Sequence, residues 1–342
     1  MKMYSIVASQ KLLRIYFGHI GQTVKVMKRL IILIILGTSA FGVNAQIKER
    51  TNFIDSMSFK IGDIREELVK IQDNYYVITP YGLAGNIGVF ISDTGVILID
   101  DQWAVLSKKI KELILTITNK PIKTIINTHY HFDHTNGNLA FGPEKIPIIS
   151  HKNARTRMSE RQVMPTFYSV VQKPYPVESL PTITFTDKTE FYEGSETIEL
   201  VYFKAAHTDG DIIVHFKSAD IYHTGDIFAN LFLPHIDEAA GGDIYGVIEA
   251  TDQLLLQASE RTKFIPGHGP VATRKELQTY RDLLAAIRDN VVKMYREKRE
   301  LGDIVKDTQV KIHYENKGGE KFIAQVYRTV EKHENQNRLE KK

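Results

Sequence analysis

Residues 128–137 read Thr-His-Tyr-His-Phe-Asp-His-Thr-Asn-Gly and follow a hydrophobic run that ends at Asn127. Alternate side chains of an extended chain point the same way, so His129 and His131 can direct two imidazoles at one point. Asp133 and His134 come after the chain has turned and can reach a second point nearby. Neutral imidazole and carboxylate suit a borderline divalent metal ion, with positions left for water. The segment therefore predicts a metal site rather than a solvated histidine-rich loop.

Three further candidate ligands, His207, Asp226 and His268, lie downstream in glycine-containing turns, each at the end of a predicted strand. Glycine gives the backbone freedom there, so a side chain can point along the edge of a sheet. The chain contains no cysteine, which excludes thiolate ligands, disulfides and a cysteine nucleophile. Four loops of this character indicate that the candidate ligands converge on one place.

The elements that must hold these residues alternate between short β-strands and helices. The apolar pattern predicts a helix over 102–120 and a strand over 123–127, which leads directly into the histidine segment. The remaining predicted strands cover 86–92, 96–100, 147–150, 182–186, 190–192, 197–203, 211–216 and 221–223, and a helix is predicted over 243–258. Two β-α blocks in tandem favour two sheets packed face to face and covered by helices.

Beyond Pro270 the pattern becomes helical. Thr273 and Glu276 form a capping-box signature that opens an amphipathic helix predicted to reach Leu301, and a shorter helix is predicted over 321–332. We therefore expect a catalytic domain over 46–270 and a C-terminal helical extension over 271–342.

Residues 1–45 are predicted to be a secretory signal peptide. Lys28 and Arg29 precede an apolar run over 30–36, and the small-x-small sequence Val43-Asn44-Ala45 predicts cleavage after Ala45. The apolar core is about half of the ~20 residues that a membrane span requires, so no stable membrane anchor is expected. Met27 is a more typical start for such a signal, which makes residues 1–26 a candidate over-long N-terminus. The predicted location is the periplasm or the exterior.

The charge distribution argues against nucleic acid as a partner. The formal net charge is +3, but six basic and no acidic residues fall in the first 45, leaving 38 basic and 41 acidic residues in the rest. The chain beyond residue 45 therefore has no net positive charge that would attract the phosphate backbone of a nucleic acid. We expect a small-molecule substrate, and the sequence leaves the oligomeric state open.

On these motifs the chain resembles the metallo-β-lactamase-fold hydrolase superfamily. The pattern His129-x-His131-x-Asp133-His134 matches its signature, and the three downstream candidates follow in the order of its other ligand motifs. The resemblance covers about residues 76–270 and implies a layered α/β fold, the αββα sandwich, with a dinuclear site along one edge. It assigns the first metal to His129, His131 and His207, the second to Asp133, His134 and His268, and a bridging or capping role to Asp226.

The resemblance also implies an exported hydrolase that holds two zinc ions per chain. A metal-bound hydroxide, oriented by Asp133 as the catalytic residue, would cleave a small amide or ester, with the β-lactam ring included. Relatives that reduce oxygen at two irons usually carry a carboxylate at the position of His131, so an imidazole there favours zinc. Manganese and iron remain alternatives.

The substrate stays open at this level. One major β-lactamase subclass has cysteine at the position of Asp226 and a substrate-binding lysine at that of Ala229, whereas aspartate is more typical of relatives that open thioesters, lactones or phosphodiesters. The alternatives are therefore a thioester or lactone hydrolase of the glyoxalase-II or lactonase kind, a phosphodiesterase, or a non-catalytic periplasmic metal-binding protein. His235, on the loop after Asp226, and Trp103, at a strand end, are candidates for substrate contacts.

Overall fold

The computed structural model describes residues 64–81, 84–164, 170–306 and 319–340. The predicted signal peptide over 1–45 lies outside these residues. Within the described ranges, no helix combines the length and the apolar character needed to cross a bilayer.

Fifteen strands of the described residues form two main sheets and a small hairpin. In chain order the strands are β1 (Glu66–Gln72), β2 (Tyr75–Pro80), β3 (Ile87–Ile91), β4 (Val96–Ile99), β5 (Ile122–Ile126), β6 (Ile148–His151), β7 (Gln162–Met164), β8 (Val170–Gln172), β9 (Ile183–Phe185), β10 (Lys188–Glu193), β11 (Glu196–Phe203), β12 (Asp211–Phe216), β13 (Ile221–Ala229), β14 (Lys263–His268) and β15 (Ala272–Thr273). The first sheet has the order β1-β2-β3-β4-β5-β6-β9 and the second β10-β11-β12-β13-β14-β15, while β7 pairs with β8. The pairs β4–β5, β5–β6, β6–β9 and β13–β14 are parallel, and the other paired strands are antiparallel.

Helices cover the outer face of each sheet. They are α1 (Ser107–Leu115), α2 (Phe132–Thr135), α3 (Asn138–Phe141), α4 (Lys152–Met158), α5 (Ile244–Gln257), α6 (Arg274–Arg296), α7 (Leu301–Lys306) and α8 (Gly319–Glu340). On the first sheet, α1 and α4 bury Ile110 and Met158 with Leu98 of β4. On the second sheet, α5, α6 and α8 share a core in which Val247 and Leu277 lie with Phe264.

The apolar pattern of β4 shows why the sheets pack in this way. All four residues of Val96–Ile99 are buried, which requires that both faces of the strand be covered. Leu98 faces the helices, whereas Ile97 packs into the core between the sheets with Leu200 and Ile265 of the second sheet. The predicted αββα sandwich with C-terminal helices is confirmed.

The structure differs from the sequence prediction at several boundaries. Strands β1 and β2 precede the first predicted strand, and the predicted helix over 102–120 ends at Leu115, before the β-branched residues of 116–118. The predicted strand over 221–223 continues to Ala229, because β14 runs beside it as far as the pair Ala229 and His268. Asp226 consequently lies within a strand and not in a turn after one.

Candidate metal centre

The seven candidate ligands come together where β5, β11, β13 and β14 end. His129 and His131 follow β5, and Asp133 and His134 lie on the single-turn helix α2. The remaining three come from the turn after β11, from β13 and from the last residue of β14, and they are His207, Asp226 and His268. The rings of His129 and His131 lie 4.8 Å apart, as expected for alternate residues of an extended segment.

Two groups of ligand atoms share this edge of the sandwich. In the first, the facing atoms of His129, His131, His207 and Asp226 all lie within 4.8 Å of one another, and in the second the same holds for Asp133, His134 and His268. Asp226 lies between the groups, since its Oδ2 is 3.6 Å from His207 Nε2 and its Oδ1 is 3.1 Å from His134 Nε2. The structure thus brings all seven predicted ligands together, and a third, overlapping group joins His129 and His134 to Asp100.

Neighbouring groups determine which ring nitrogens of the first group carry protons. Asp237 Oδ2, 3.0 Å away, accepts from His131 Nε2, and the carbonyl oxygen of His235, 2.6 Å away, accepts from His207 Nδ1. Each ring, when neutral, then presents a lone pair on its other nitrogen. Those two nitrogens, His131 Nδ1 and His207 Nε2, face each other at 2.8 Å. Two lone pairs at this distance repel unless a cation lies between them.

Asp100, which directly follows β4, fixes two more histidines in the same way. Its Oδ2 lies 2.8 Å from His134 Nδ1 and accepts the hydroxyl proton of Thr128 at 2.7 Å. The Thr128 oxygen, 3.0 Å from His129 Nδ1, is then left to accept from that ring. His129 Nε2 therefore carries a lone pair. This atom is buried and has no hydrogen-bond partner among the described residues. Because such an atom is costly to bury alone, its position fits a metal ion.

The electrostatics of the cluster also favour cations. Burial alone would lower the pKa of His134, but the carboxylates of Asp226, Asp133 and Asp100 outweigh it and hold the pKa well above its usual value. Burial likewise opposes the charged form of His268, whose pKa the same carboxylates Asp226 and Asp133 raise to about 9. The carboxylates therefore attract positive charge into the centre, which bound metal ions would provide.

Two glycines leave the space that the cluster occupies. A Cβ atom on Gly85 would lie 2.2 Å from His134 Cε1, and one on Gly267 would lie 1.9 Å from Asp226 Oδ1. Neither position accepts a side chain while these ligands hold their places.

The two candidate substrate contacts have different positions. Trp103 is 1% exposed and packs edge-on against Phe132 with ring centroids 5.2 Å apart, so it supports α2 from the core instead of lining a cleft. His235 is half-buried, and its ring lies 6.1 Å from that of His131 and 5.9 Å from that of His207. Of the two, only His235 lies beside the ligands.

Sequence reasoning missed the residues that orient the ligands. Asp100 and Thr128 lie just after the carboxyl ends of the parallel strands β4 and β5. This position is the sequence feature that could have identified them. Asp237 lies 106 residues from the histidine it contacts, and no local pattern indicates such a pairing.

Comparison with known proteins agrees with this geometry. A family model described as the metallo-β-lactamase superfamily matches residues 80–269. A curated relative, the α subunit of 2,4-dinitroanisole O-demethylase from Nocardioides sp. strain JS1661, is 28% identical over 137 residues, which cover 39% of this chain and 38% of the relative. The aligned region thus spans well under half of that relative's length.

Solved structures resemble the fold. A metallo-β-lactamase from Pontibacter korlensis aligns with a TM-score of 0.55 and 21% identity, over 65% of this chain and 99% of that one. The stereoselective inverting sec-alkylsulfatase Pisa1 from Pseudomonas sp. aligns with a TM-score of 0.56 and 14% identity, over 77% of this chain and 50% of that one. At these identities the structures show a shared fold.

Proposed function

Because the chain belongs to the metallo-β-lactamase superfamily and is a metal-dependent hydrolase of it, we propose that it binds two zinc ions and cleaves a small amide or ester. The observation that carries this proposal is the convergence of imidazoles and carboxylates, in which a hydrogen bond on the far nitrogen orients four of the five rings. A set of nitrogen and oxygen donors without thiolate, in two neighbouring groups with the Asp226 carboxylate between them, suits two borderline divalent ions.

Different residues of the chain would bind the ions, orient the attacking water and leave a path for the substrate. When bound, divalent ions at this centre would lower the pKa of a water molecule and polarise the oxygen of the substrate. Asp133 keeps 15% of its side chain exposed and His268 keeps 26%, so water and substrate reach the centre from this side. The Asp133 carboxylate, 3.3 Å from His268 Nε2, can accept a hydrogen bond from the attacking water and orient it. The Asp226 carboxylate lies between the two groups of ligands and fixes their relative positions.

A second candidate is a thioester or lactone hydrolase, and the segment that follows β13 favours it. The lysine that could pair with the carboxylate of a β-lactam substrate is replaced by Ala229, which is 6% exposed at the end of β13. The next residues present apolar surface instead, with Leu231 67% and Phe232 54% exposed. Leu231 also has a φ of +70°, a strained conformation for a side chain of this size. Uncharged acyl groups suit such a surface better than anionic ones.

Turnover of a substrate panel tests both candidates. The purified protein is loaded with zinc and assayed with a chromogenic cephalosporin, a lactone, a thioester and bis-p-nitrophenyl phosphate, with and without chelator. We expect chelator-sensitive turnover, with the lactone or thioester ahead of the cephalosporin if the apolar surface selects the substrate. Absence of turnover on every substrate with two zinc ions bound would refute the proposed function and favour a metal-binding protein. Preferred turnover of the phosphodiester would instead favour the phosphodiesterase alternative.

Substitution of one ligand tests the metal assignment. We expect His131→Ala to reduce the zinc content from about two ions per chain to one or fewer and to abolish turnover. The control is His215→Ala, which removes a partly buried histidine that stacks on Tyr222 at 3.8 Å outside the cluster. Retention of both ions by His131→Ala would show that the assignment of the first group is wrong.

Export is part of the same proposal. The features of residues 1–45 support a signal peptide, and N-terminal sequencing of the protein from a periplasmic or culture fraction tests it. A mature chain that starts at Gln46 is expected, whereas recovery of the uncleaved chain from the cytoplasm would contradict export.

A further inference from the structure

Gln325, on the C-terminal helix α8, is buried against the loop that carries His235. Its side chain is 2% exposed, although the helix belongs to the extension that follows the catalytic domain in sequence. The amide Nε2 donates to the carbonyl oxygen of Ile236 at 2.8 Å and lies 2.9 Å from His235 Nδ1, and the amide Oε1 accepts from the Ile236 N–H at 3.4 Å. Every polar atom of this amide thus engages the loop.

The backbone of Ile236 determines which way the Gln325 amide faces. The Ile236 N–H requires an acceptor, so the Gln325 oxygen Oε1 lies opposite it. The Ile236 carbonyl requires a donor, so the Gln325 nitrogen Nε2 lies opposite that carbonyl. The second hydrogen of Nε2 then points at His235 Nδ1, which must accept it. A neutral His235 therefore carries its proton on Nε2. An imidazole without such a partner would exchange between its two tautomers.

The loop holds this ring beside the candidate ligands. The carbonyl oxygen of His235 accepts from His207 Nδ1, and the N–H of Asp237 donates to the carbonyl oxygen of His207 at 3.0 Å. The ring centre lies about equally far from His131 and His207, at 6.1 and 5.9 Å. The His235 ring therefore lies beside the first group of ligands.

We propose that Gln325 is a positioning residue that fixes His235 as the Nε2–H tautomer, and that this N–H donates to the substrate oxygen on which negative charge develops during hydrolysis. This inference rests on the proposed function. A preorganised neutral donor stabilises such an oxyanion without having to release or take up a proton. It suits substrates that develop the charge on a carbonyl oxygen, such as esters, lactones and thioesters. The C-terminal extension would then be a working part of the active site.

Nitrogen NMR of the full chain labelled with ¹⁵N-histidine tests the tautomer without any substrate. We expect a pyridine-like Nδ1 and a pyrrole-like Nε2 for His235, assigned by loss of the signals in His235→Phe. In Gln325→Glu the carboxylate can only accept, so Nδ1 should become protonated and its signal pyrrole-like. A pyrrole-like Nδ1 in the unsubstituted protein would overturn the proposal.

Kinetics test the role of the donor. His235→Phe and Gln325→Glu should each lower kcat by about 10²-fold, the usual cost of removing one oxyanion donor, with a smaller change in KM. His235→Gln keeps an N–H donor and should recover part of the loss, and this pair decides the donor's role even if Gln325→Glu does not fold. Equal rates for His235→Phe and His235→Gln would overturn that role.

The matched control lies on the same helix. Arg328→Gln breaks an ion pair with Glu238 at 2.6 Å on the same loop, leaves the Gln325 amide in place, and should change kcat by no more than about twofold. A Gln325→Glu effect no larger than this would refute the positioning role. If the unsubstituted protein hydrolyses no substrate of the panel, the proposed function fails, while the NMR result still decides the tautomer.

Discussion

Replacement of Asp237 by asparagine tests whether the partners behind the ligands stabilise the centre. Asp237 is 1% exposed; its Oδ2 accepts from Tyr130 Oη and from His131 Nε2, and its Oδ1 accepts from the N–H of Ala240 at 3.2 Å. Three donors thus converge on a group that only accepts. An asparagine amide has one oxygen, so either orientation leaves an NH₂ group facing a buried donor.

The cost follows from those contacts. With the amide oxygen placed toward Tyr130 and His131, two charge-assisted bonds become neutral, at about 1 kcal/mol each, and the unpaired donor opposite Ala240 adds at least another 1 kcal/mol. The expected loss in the free energy of unfolding of the metal-free protein is therefore about 3 kcal/mol. Zinc affinity should fall by about 10- to 100-fold, because His131 is no longer held in one tautomer and orientation.

Urea unfolding with excess chelator measures the first quantity, and competition with a chromophoric chelator measures the second. The control is Asp252→Asn, which breaks a half-exposed pair with Arg281 and should cost less than about 1 kcal/mol without changing zinc affinity. If Asp237→Asn binds zinc as tightly as the unsubstituted protein does, the argument that Asp237 orients a ligand is wrong.

Three further predictions address the centre and the fold around it. Gly85→Ala should lower zinc affinity at least tenfold, since its Cβ would overlap the His134 ring, whereas Gly302→Ala, with no atom within 4 Å, should not; equal affinities, measured by chelator competition, would contradict this. Burial raises the pKa of Glu66 to about 7 despite nearby Lys109. In the unfolded chain the Glu66 carboxyl has its ordinary pKa of about 4.5, so between pH 4.5 and 7 the unfolded chain binds fewer protons than the folded protein. The free energy of unfolding should therefore fall by up to about 3 kcal/mol as the pH rises across this range. Glu66→Gln should abolish that decline in urea titrations across this range, the exposed Glu67→Gln should keep it, and identical pH profiles for the two would refute the assignment. Finally, chelator should lower the melting temperature and added zinc restore it, because only the folded chain presents the converged ligands; a melting temperature indifferent to both would argue against a preformed centre.

The ligand types and the general architecture could be predicted from the sequence because both depend on local patterns. Alternation places His129 and His131 on one side of an extended segment, and the apolar runs that precede the ligands predict strands whose ends meet at one edge of a sheet. Local patterns fail at Asp226: its strand continues through a bulge at Gly225, which the parallel neighbour β14 supports from a segment forty residues away.

By itself, the sequence determined which residues could bind metal and that two layers of strands would carry them. Only the tertiary structure decided which nitrogen of each histidine faces inward, because that depends on Asp100 and Asp237, which reach the histidine segment from other parts of the chain. It also brought Gln325 of the last helix against His235. A hydrogen bond depends on distance in space, and residues separated by ninety or more positions become neighbours only when the sheets and helices have packed.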